Sequence, residues 1–343
     1  MKSYRESMDN LSFSPEQKQA MAEELLTASQ TRPTRKRNPK RMVVVAAAAI
    51  LVLSLGTAGA TGALKPAGEV FAQLFGSSPA QQEAADRMSS AVGVSSTADG
   101  YTITVDAVIG DENTCAIVYS ITAEDGTPLS IPGWVDEETY LGYFFAFSDG
   151  YGSQNFYDSD PNDGAIQFVE EITMTSGIEK QVVTKTFQDL SFGQWNESEV
   201  LAAGPCELTF PLAYENNSVS LQADQLLQLR EENLYLDEVT ISPLSITVKS
   251  SFDTIIDWED DVQSDPFAEY DQMPTGRQAI SVPLSITLTD GTVMDLNGNV
   301  SSSIGDEDGK TRCVRVSRFE KILPLDTIAS ITIGDVTIPM PKE

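Results

Sequence analysis

Residues 101–113 read YTITVDAVIGDEN, and this stretch sets the fold class. Ile103 and Val105 alternate with Thr102 and Thr104, the period-two, β-branched pattern of a strand with one face against a core. Gly110-Asp111-Glu112-Asn113 has turn chemistry, and Cys115–Thr122 returns as the partner strand. Glu124-Asp125-Gly126 turns the chain again. Further strands are predicted over Leu141–Phe147, Ala165–Thr173, Gln181–Phe192 and Cys206–Tyr214. A second series covers Tyr235–Ile241, Leu244–Val248, Ile280–Leu288, Thr311–Phe319, Ile328–Ile333 and Val336–Met340, with a hairpin signal at Thr289-Asp290-Gly291-Thr292. Ile241-Ser242-Pro243-Leu244-Ser245-Ile246-Thr247-Val248 is echoed by Ser281-Val282-Pro283-Leu284-Ser285-Ile286-Thr287-Leu288. The flanks do not match, so the echo reads as similar strand chemistry rather than duplication. Short strands with Gly/Asp turns predict a mainly β protein with two sandwich-like domains, 99–214 and 215–343, and a helix over Gln222–Glu232 at their junction.

Toward the N-terminus the pattern changes. Val70/Leu74 and Phe71/Phe75 are i,i+4 pairs of a short helix, and Gln81–Val92 has helical composition up to Gly93. Residues 65–98 therefore read as a helical linker. Before it, Met42–Leu64 contains no charged residue over 23 positions, enough apolar chain to cross a bilayer core of about 30 Å as a helix. Arg32, Arg35, Lys36, Arg37, Lys40 and Arg41 precede this run, and only Lys65 follows it closely. The 343-residue chain has a formal net charge of −29, but residues 1–41 are net +4 and residues 65–343 net −33. By the positive-inside rule the N-terminus is cytoplasmic and both β domains are extracellular. A cleaved signal peptide is the competing reading, with Ala58-Gly59-Ala60 or Thr61-Gly62-Ala63 as the small-residue site. The 41 preceding residues are long for a leader and favour a retained transmembrane helix.

Within that cytoplasmic segment, Ser14, Pro15 and Gln17 form a capping box with proline at the first helical position. Met21/Leu25 and Ala22/Leu26 then share one face, and Pro33 stops the helix. Tyr4, Met8 and Leu11 space a second short helix. Two helices of this length do not bury their apolar faces on each other, so Phe13, Met21, Leu25 and Leu26 are candidate anchors for a protein partner. A solvated stub that sets topology is the plainer alternative. Arg35, Lys36, Arg37, Lys40 and Arg41 suit anionic membrane lipid, at about 1 kcal/mol per basic residue.

The chain has no histidine, which removes Ser-His-Asp and Cys-His catalysis and histidine-containing zinc sites. The acidic outer part repels phosphate backbones, so nucleic acid is not an expected partner. Asp158-Ser159-Asp160-Pro161-Asn162-Asp163-Gly164 resembles the start of a calcium loop, yet Asp163 stands where an EF-hand needs glycine and Val169 where it needs glutamate. Asp257, Glu259, Asp260 and Asp261 form another acidic cluster. Neither is predicted to hold a metal, no cofactor is expected, and no motif marks an enzyme. Cys115, Cys206 and Cys313 lie in strand-like runs and read as buried free thiols, with one bridged pair and an odd thiol as the alternative.

The order of these features resembles a known family. Tyr4…Met8…Leu11-Ser12-Phe13-Ser14-Pro15-Glu16-Gln17-Lys18 leads a helix, and a basic tract, one span and Phe71…Leu74-Phe75 follow. Then comes Gly100–Asp111. The pattern looks like membrane-anchored proteins of low-GC Gram-positive bacteria whose extracellular region is a domain of unknown function. Val239–Val248 resembles the second β domain that often follows. Members are regarded as anti-sigma-factor-like regulators, so the resemblance implies a sigma factor as cytoplasmic partner, bound without zinc. The alternative is a surface-anchored module whose outer domains bind a cell-wall component or small molecule.

Overall fold

Strands β2 (Tyr101–Gly110) and β3 (Thr114–Ala123) form the expected hairpin, and their burial changes along their length. Ile103 and Val105 are buried between half-buried threonines, but from Ala107 to Gly110 every residue is buried. The sheet is thus covered on one face throughout and on both faces near the turn, which is why the apolar pattern passes from alternating to continuous there.

The computed structural model describes residues 67–129, 150–157, 160, 162–179, 182–194, 197–221, 223, 225–229, 232–256, 270 and 273–341, and it is mainly β with several sheets. Around the first hairpin, β1 (Ser89–Ala98), β4 (Gly150–Tyr157) and β5 (Ile166–Met174) complete an antiparallel sheet in the order β1-β2-β3-β5-β4. A two-stranded ribbon, β6 (Val182–Gln194) with β7 (Glu197–Pro211), packs on its inner face. Tyr119 and Phe168 are cross-strand partners stacked at 4.4 Å, and Phe187 from the ribbon meets both rings edge-on at 5.6 and 5.8 Å.

The outer face is closed by a helical hairpin, α1 (Ala67–Phe75) and α2 (Pro79–Met88). Ser78 and Gln81 form a capping box with Pro79 at the first position of α2, and the Asp86 carboxylate accepts from the Gly68 N–H at the start of α1. Phe71, Phe75 and Met88 fill the space over Ala107, Ile109, Ala116, Val118 and Val169, where two alanines let the helices approach.

The C-terminal half begins with β8 (Val219–Leu221), β9 (Gln225–Leu229), β10 (Glu232–Ile241) and β11 (Ser245–Phe252). After a short helix α3 (Thr275–Ile280) come β12 (Leu284–Leu288), β13 (Val293–Asp295), β14 (Val300–Glu307), β15 (Lys310–Arg318), β16 (Ile328–Ile333) and β17 (Val336–Pro339). One sheet runs β14-β15-β11-β10-β8, with β9 also on β10, and a second runs β13-β12-β16-β17. One apolar cluster draws on both, joining Leu234, Leu236, Ile246 and Val248 to Leu284, Ile286, Ile331 and Ile333.

Two expected helices differ. Helix α2 ends at Met88, and Ser89–Ala98 is a strand rather than helix to Val92. Its Gly93, at φ 71°, takes the extra place of a β-bulge between Ala91 and Val94, so that glycine bends a strand instead of ending a helix. The predicted helix Gln222–Glu232 is replaced by strand β9 along β10. Leu227 and Leu229 are buried while Leu226 and Gln228 are exposed, so pairing with β10 overrides local helical propensity. Ile280–Leu288 also starts later as a strand, because α3 occupies its first residue. Residues 1–66 and Leu141–Phe147 lie outside the described residues. Among the described residues no helix is long and apolar enough to cross a membrane.

A charged pair is built into the N-terminal core. Glu170 faces inward from β5, and its carboxylate takes the Lys185 ammonium of β6 at 2.8 Å and the Tyr119 hydroxyl at 2.9 Å. Burial pulls the Lys185 pKa down and Glu170 opposes it. Removing one charge strands the other in an apolar site, so Lys185→Met should lower stability by about 3–5 kcal/mol. Adding Glu170→Gln, which keeps an acceptor for Tyr119, should recover most of that loss in urea melts.

Candidate functional site

The turn at Gly110–Asn113 is not at the surface. Asp111 is 2% exposed and Asn113 5%, because the corner between β10 and β11 lies against them. Locally the turn is self-made: Asp111 Oδ1 accepts the Asn113 N–H at 2.8 Å and the Thr114 N–H at 2.6 Å. Its other oxygen, Oδ2, faces the C-terminal half and accepts the Ser242 hydroxyl at 2.5 Å and the Ser245 hydroxyl at 2.6 Å. Ser242 Oγ in turn accepts the Leu244 and Ser245 N–H groups at 2.9 and 3.1 Å, which fixes the corner. Beside it, Thr247 donates to Asn113 Oδ1 at 2.9 Å, and Asn113 Nδ2 donates to the Met174 carbonyl at 2.8 Å. Burial pushes the Asp111 pKa up from its ordinary value, against the opposing pull of Ser242, Ser245 and the two backbone donors.

The joint extends around this carboxylate. Arg318 at the end of β15 pairs with Glu171 on β5. Leu244 and Ile322 enter the apolar cluster under the helical hairpin, so α1 and α2 rest on both halves. The Ile322 N–H donates to the Phe75 carbonyl at the end of α1 at 2.9 Å, and Gln81 Nε2 of α2 donates to the Ile322 carbonyl at 3.0 Å. Tyr214, just beyond β7, packs its ring on Gly110, where a Cβ would lie 2.6 Å from the ring.

Other buried polar groups have structural roles. Arg315, between the C-terminal sheets, donates to the carbonyls of Val282 and Leu296, to Asn297 Oδ1 and to Ser317 Oγ, and burial draws its pKa down to about 10. A cavity of about 10 Å³ beside it, lined also by Ser250 and Cys313, has room for no more than one water molecule. Cys115, Cys206 and Cys313 are all free and buried, and burial pushes the Cys313 thiol up to about 12.

The partner residues proposed from sequence, Phe13, Met21, Leu25 and Leu26, lie outside the described residues, as do Arg35, Lys36, Arg37, Lys40 and Arg41. Of the calcium-like loop, Asp160 accepts from the Asn162 N–H and Asp163 from the Ala165 N–H, turn roles that use carboxylate oxygens on the backbone. Asp158, Asp257, Glu259, Asp260 and Asp261 are outside the described residues. Among the described residues no three His, Cys, Asp or Glu side chains are grouped to hold a metal.

A family model described as a domain of unknown function (DUF4179) matches residues 34–123, from the basic tract to the last residue of β3. Asp111 lies inside that stretch and Ser242 and Ser245 outside it. No curated protein matches the chain. Among solved structures, the chain is similar to a conserved domain protein from Bacillus anthracis, at 14% identity and a TM-score of 0.39, over 71% of this chain and 75% of that one.

Asp111→Ala leaves four donors without their acceptor in a buried joint, and should cost about 3–5 kcal/mol. Ser242→Ala removes one bond to the carboxylate and also leaves the Leu244 and Ser245 N–H groups without their acceptor, and should cost about 3 kcal/mol or more in urea melts.

Proposed function

We propose that this chain is a single-pass membrane regulator of the anti-sigma type. Its N-terminal helix captures a sigma factor in the cytoplasm, and two sandwich-like β domains outside the cell respond to the envelope. The carrying observation is the closeness in sequence of the uncharged run to a helix that is bonded to the C-terminal half. Helix α1 starts at Ala67, three positions after the end of the uncharged Met42–Leu64, and its last carbonyl accepts the Ile322 N–H of the C-terminal half. The stretch matched by the family model supports the same unit, since it runs through the basic tract, the uncharged segment, both helices and the first three strands.

The cytoplasmic end carries the output. Met21, Leu25 and Leu26 present an apolar stripe next to Phe13, and recognition of such a stripe by a groove needs no zinc. The basic residues Arg35, Lys36, Arg37, Lys40 and Arg41 fix topology and hold the segment at anionic lipid.

Full-length protein solubilised from membranes should co-purify with a sigma factor, and Leu25→Asp with Leu26→Asp should abolish capture and raise transcription of the sigma factor's targets. No sigma factor with the wild type, together with unchanged transcription in the double variant, would defeat the reading. Deleting residues 2–30 separates it from a surface-anchored binding module, which keeps its outer binding while the regulator loses its output.

A further inference from the structure

Strand β14 closes one side of the larger C-terminal sheet, and among the described residues no strand pairs with its outer side. Its ladder with β15 runs unbroken from Val300↔Ser317 to Glu307↔Lys310. Bonded and non-bonded pairs alternate along an antiparallel ladder. The Arg318 N–H donates to the Asn299 carbonyl, so the odd-numbered residues of β14 turn their backbone groups to β15. Val300, Ser302 and Ile304 therefore point their N–H and C=O groups outward, where no protein group among the described residues meets them. Val300 and Ile304 are half-buried, and Ser302 and Ser303 are exposed. Other edges carry devices that hinder strand addition: β1 has the bulge at Gly93, β13 is three residues long and β17 ends in Pro339. Val300-Ser301-Ser302-Ser303-Ile304 has no charge, no proline and no bulge.

We propose that β14 is a self-association edge, which pairs antiparallel with β14 of a second copy of this chain, centred on Ser302. The segment is symmetric in chemistry about that serine. With Ser302 opposite its own counterpart, Ser301 lies opposite Ser303 and Val300 opposite Ile304. Every outward N–H and C=O of Val300, Ser302 and Ile304 then gains a partner. Opposed residues share a face, so Val300 and Ile304 meet on the side where Ile304 already packs against the C-terminal core. Charge selects this register. A centre at Ser303 sets the Asp306 carboxylate against Val300, whereas a centre at Ser302 sets it opposite Gly298, beyond the end of the strand and in water. Within each copy Thr311 donates to Asp306 and Arg312 pairs with Glu307, so the acids that end β14 are already engaged. The ladder is short, and anchoring two copies in one bilayer raises their local concentration, a gain that rests on the membrane-regulator reading.

The test is disulfide trapping of the full chain in membranes of the expressing cells, read on non-reducing gels. Opposed residues of a bonded pair have Cα atoms about 5.5 Å apart, within the disulfide range of about 4.4–6.8 Å. Ser302→Cys should therefore give a linked dimer as the main species under mild oxidation. Ser303→Cys alone should stay monomeric, because its counterpart lies diagonally at about 7–8 Å. Ser301→Cys and Ser303→Cys on separate, co-expressed copies should link to each other. Adding Ser302→Lys to both of those copies sets like charges face to face and should abolish the link. The wild type, whose Cys115, Cys206 and Cys313 are buried, sets the background. No dimer with Ser302→Cys overturns the proposal, as does a Ser303→Cys dimer of equal yield or a mixed link that survives Ser302→Lys. These positions are at a solvent-facing edge, and unchanged melting of each variant shows that it folds. No sigma factor enters the assay, so failed sigma capture leaves the pairing standing, and failed pairing leaves sigma capture untouched.

Discussion

A carboxylate taken out of water must be met by donors, and Asp111 obtains its donors from two parts of the chain that share no sheet. That requirement organises the joint. The turn supplies two N–H groups by its own curl, but the outward oxygen is satisfied only when the β10–β11 corner is seated with both serine hydroxyls turned toward it. Once the corner is seated, Leu244 and Ile322 are delivered beneath the helices, and Phe71, Phe75 and Met88 acquire a floor that neither half provides by itself. Polar satisfaction sets the register of the contact, and apolar burial supplies its favourable free energy.

The helical hairpin makes this contact more than a static seam. Its two helices are too short to be stable alone, and they persist because one face lies on β2, β3 and β5 while Phe75 and Gln81 bond to Ile322. A change in how the halves meet changes what the helices rest on. Loss of the Ile322 contacts frees the last carbonyl of α1 and removes part of the cover of Phe75, so the helix nearest the proposed span reports on the joint.

Much of the β architecture was legible in the sequence because it obeys local rules. Period-two runs of β-branched residues gave β2, β3, β10, β11 and β15, and Thr289-Asp290-Gly291-Thr292 gave the turn between β12 and β13. What was missed depended on remote partners. Ser89–Ala98 and Gln225–Leu229 carry helix-compatible residues, and become strands because Tyr101–Ile109 and Glu232–Leu236 offer them hydrogen-bonding edges. The joint was half legible. The Gly110–Asn113 turn and the Ser242-Pro243-Leu244-Ser245 motif were both visible, but nothing local marks a turn aspartate as buried. The usable signal was the continuous apolar run Ala107-Val108-Ile109 leading into it, which announces a strand end covered on both faces. The proposed partner residues at the N-terminus rest on helical periodicity and capping alone.

The Asp111–Ser242 and Asp111–Ser245 bonds join positions 131 and 134 residues apart. Contacts of such separation are closed late, after the intervening strands have paired, and they slow folding more than local hairpins do. As the chain emerges N-terminus first, the outer face of β2 and β3 is complete well before Leu244 and Ile322 exist to help cover it. Until then the Ser242 and Ser245 hydroxyls that meet Asp111 are not yet part of the chain, and the helical hairpin lacks part of its seat. Synthesis of residues 67–123 therefore precedes that of Leu244 and Ile322 by more than a hundred residues, and the seat of the helical hairpin is completed only by the C-terminal half.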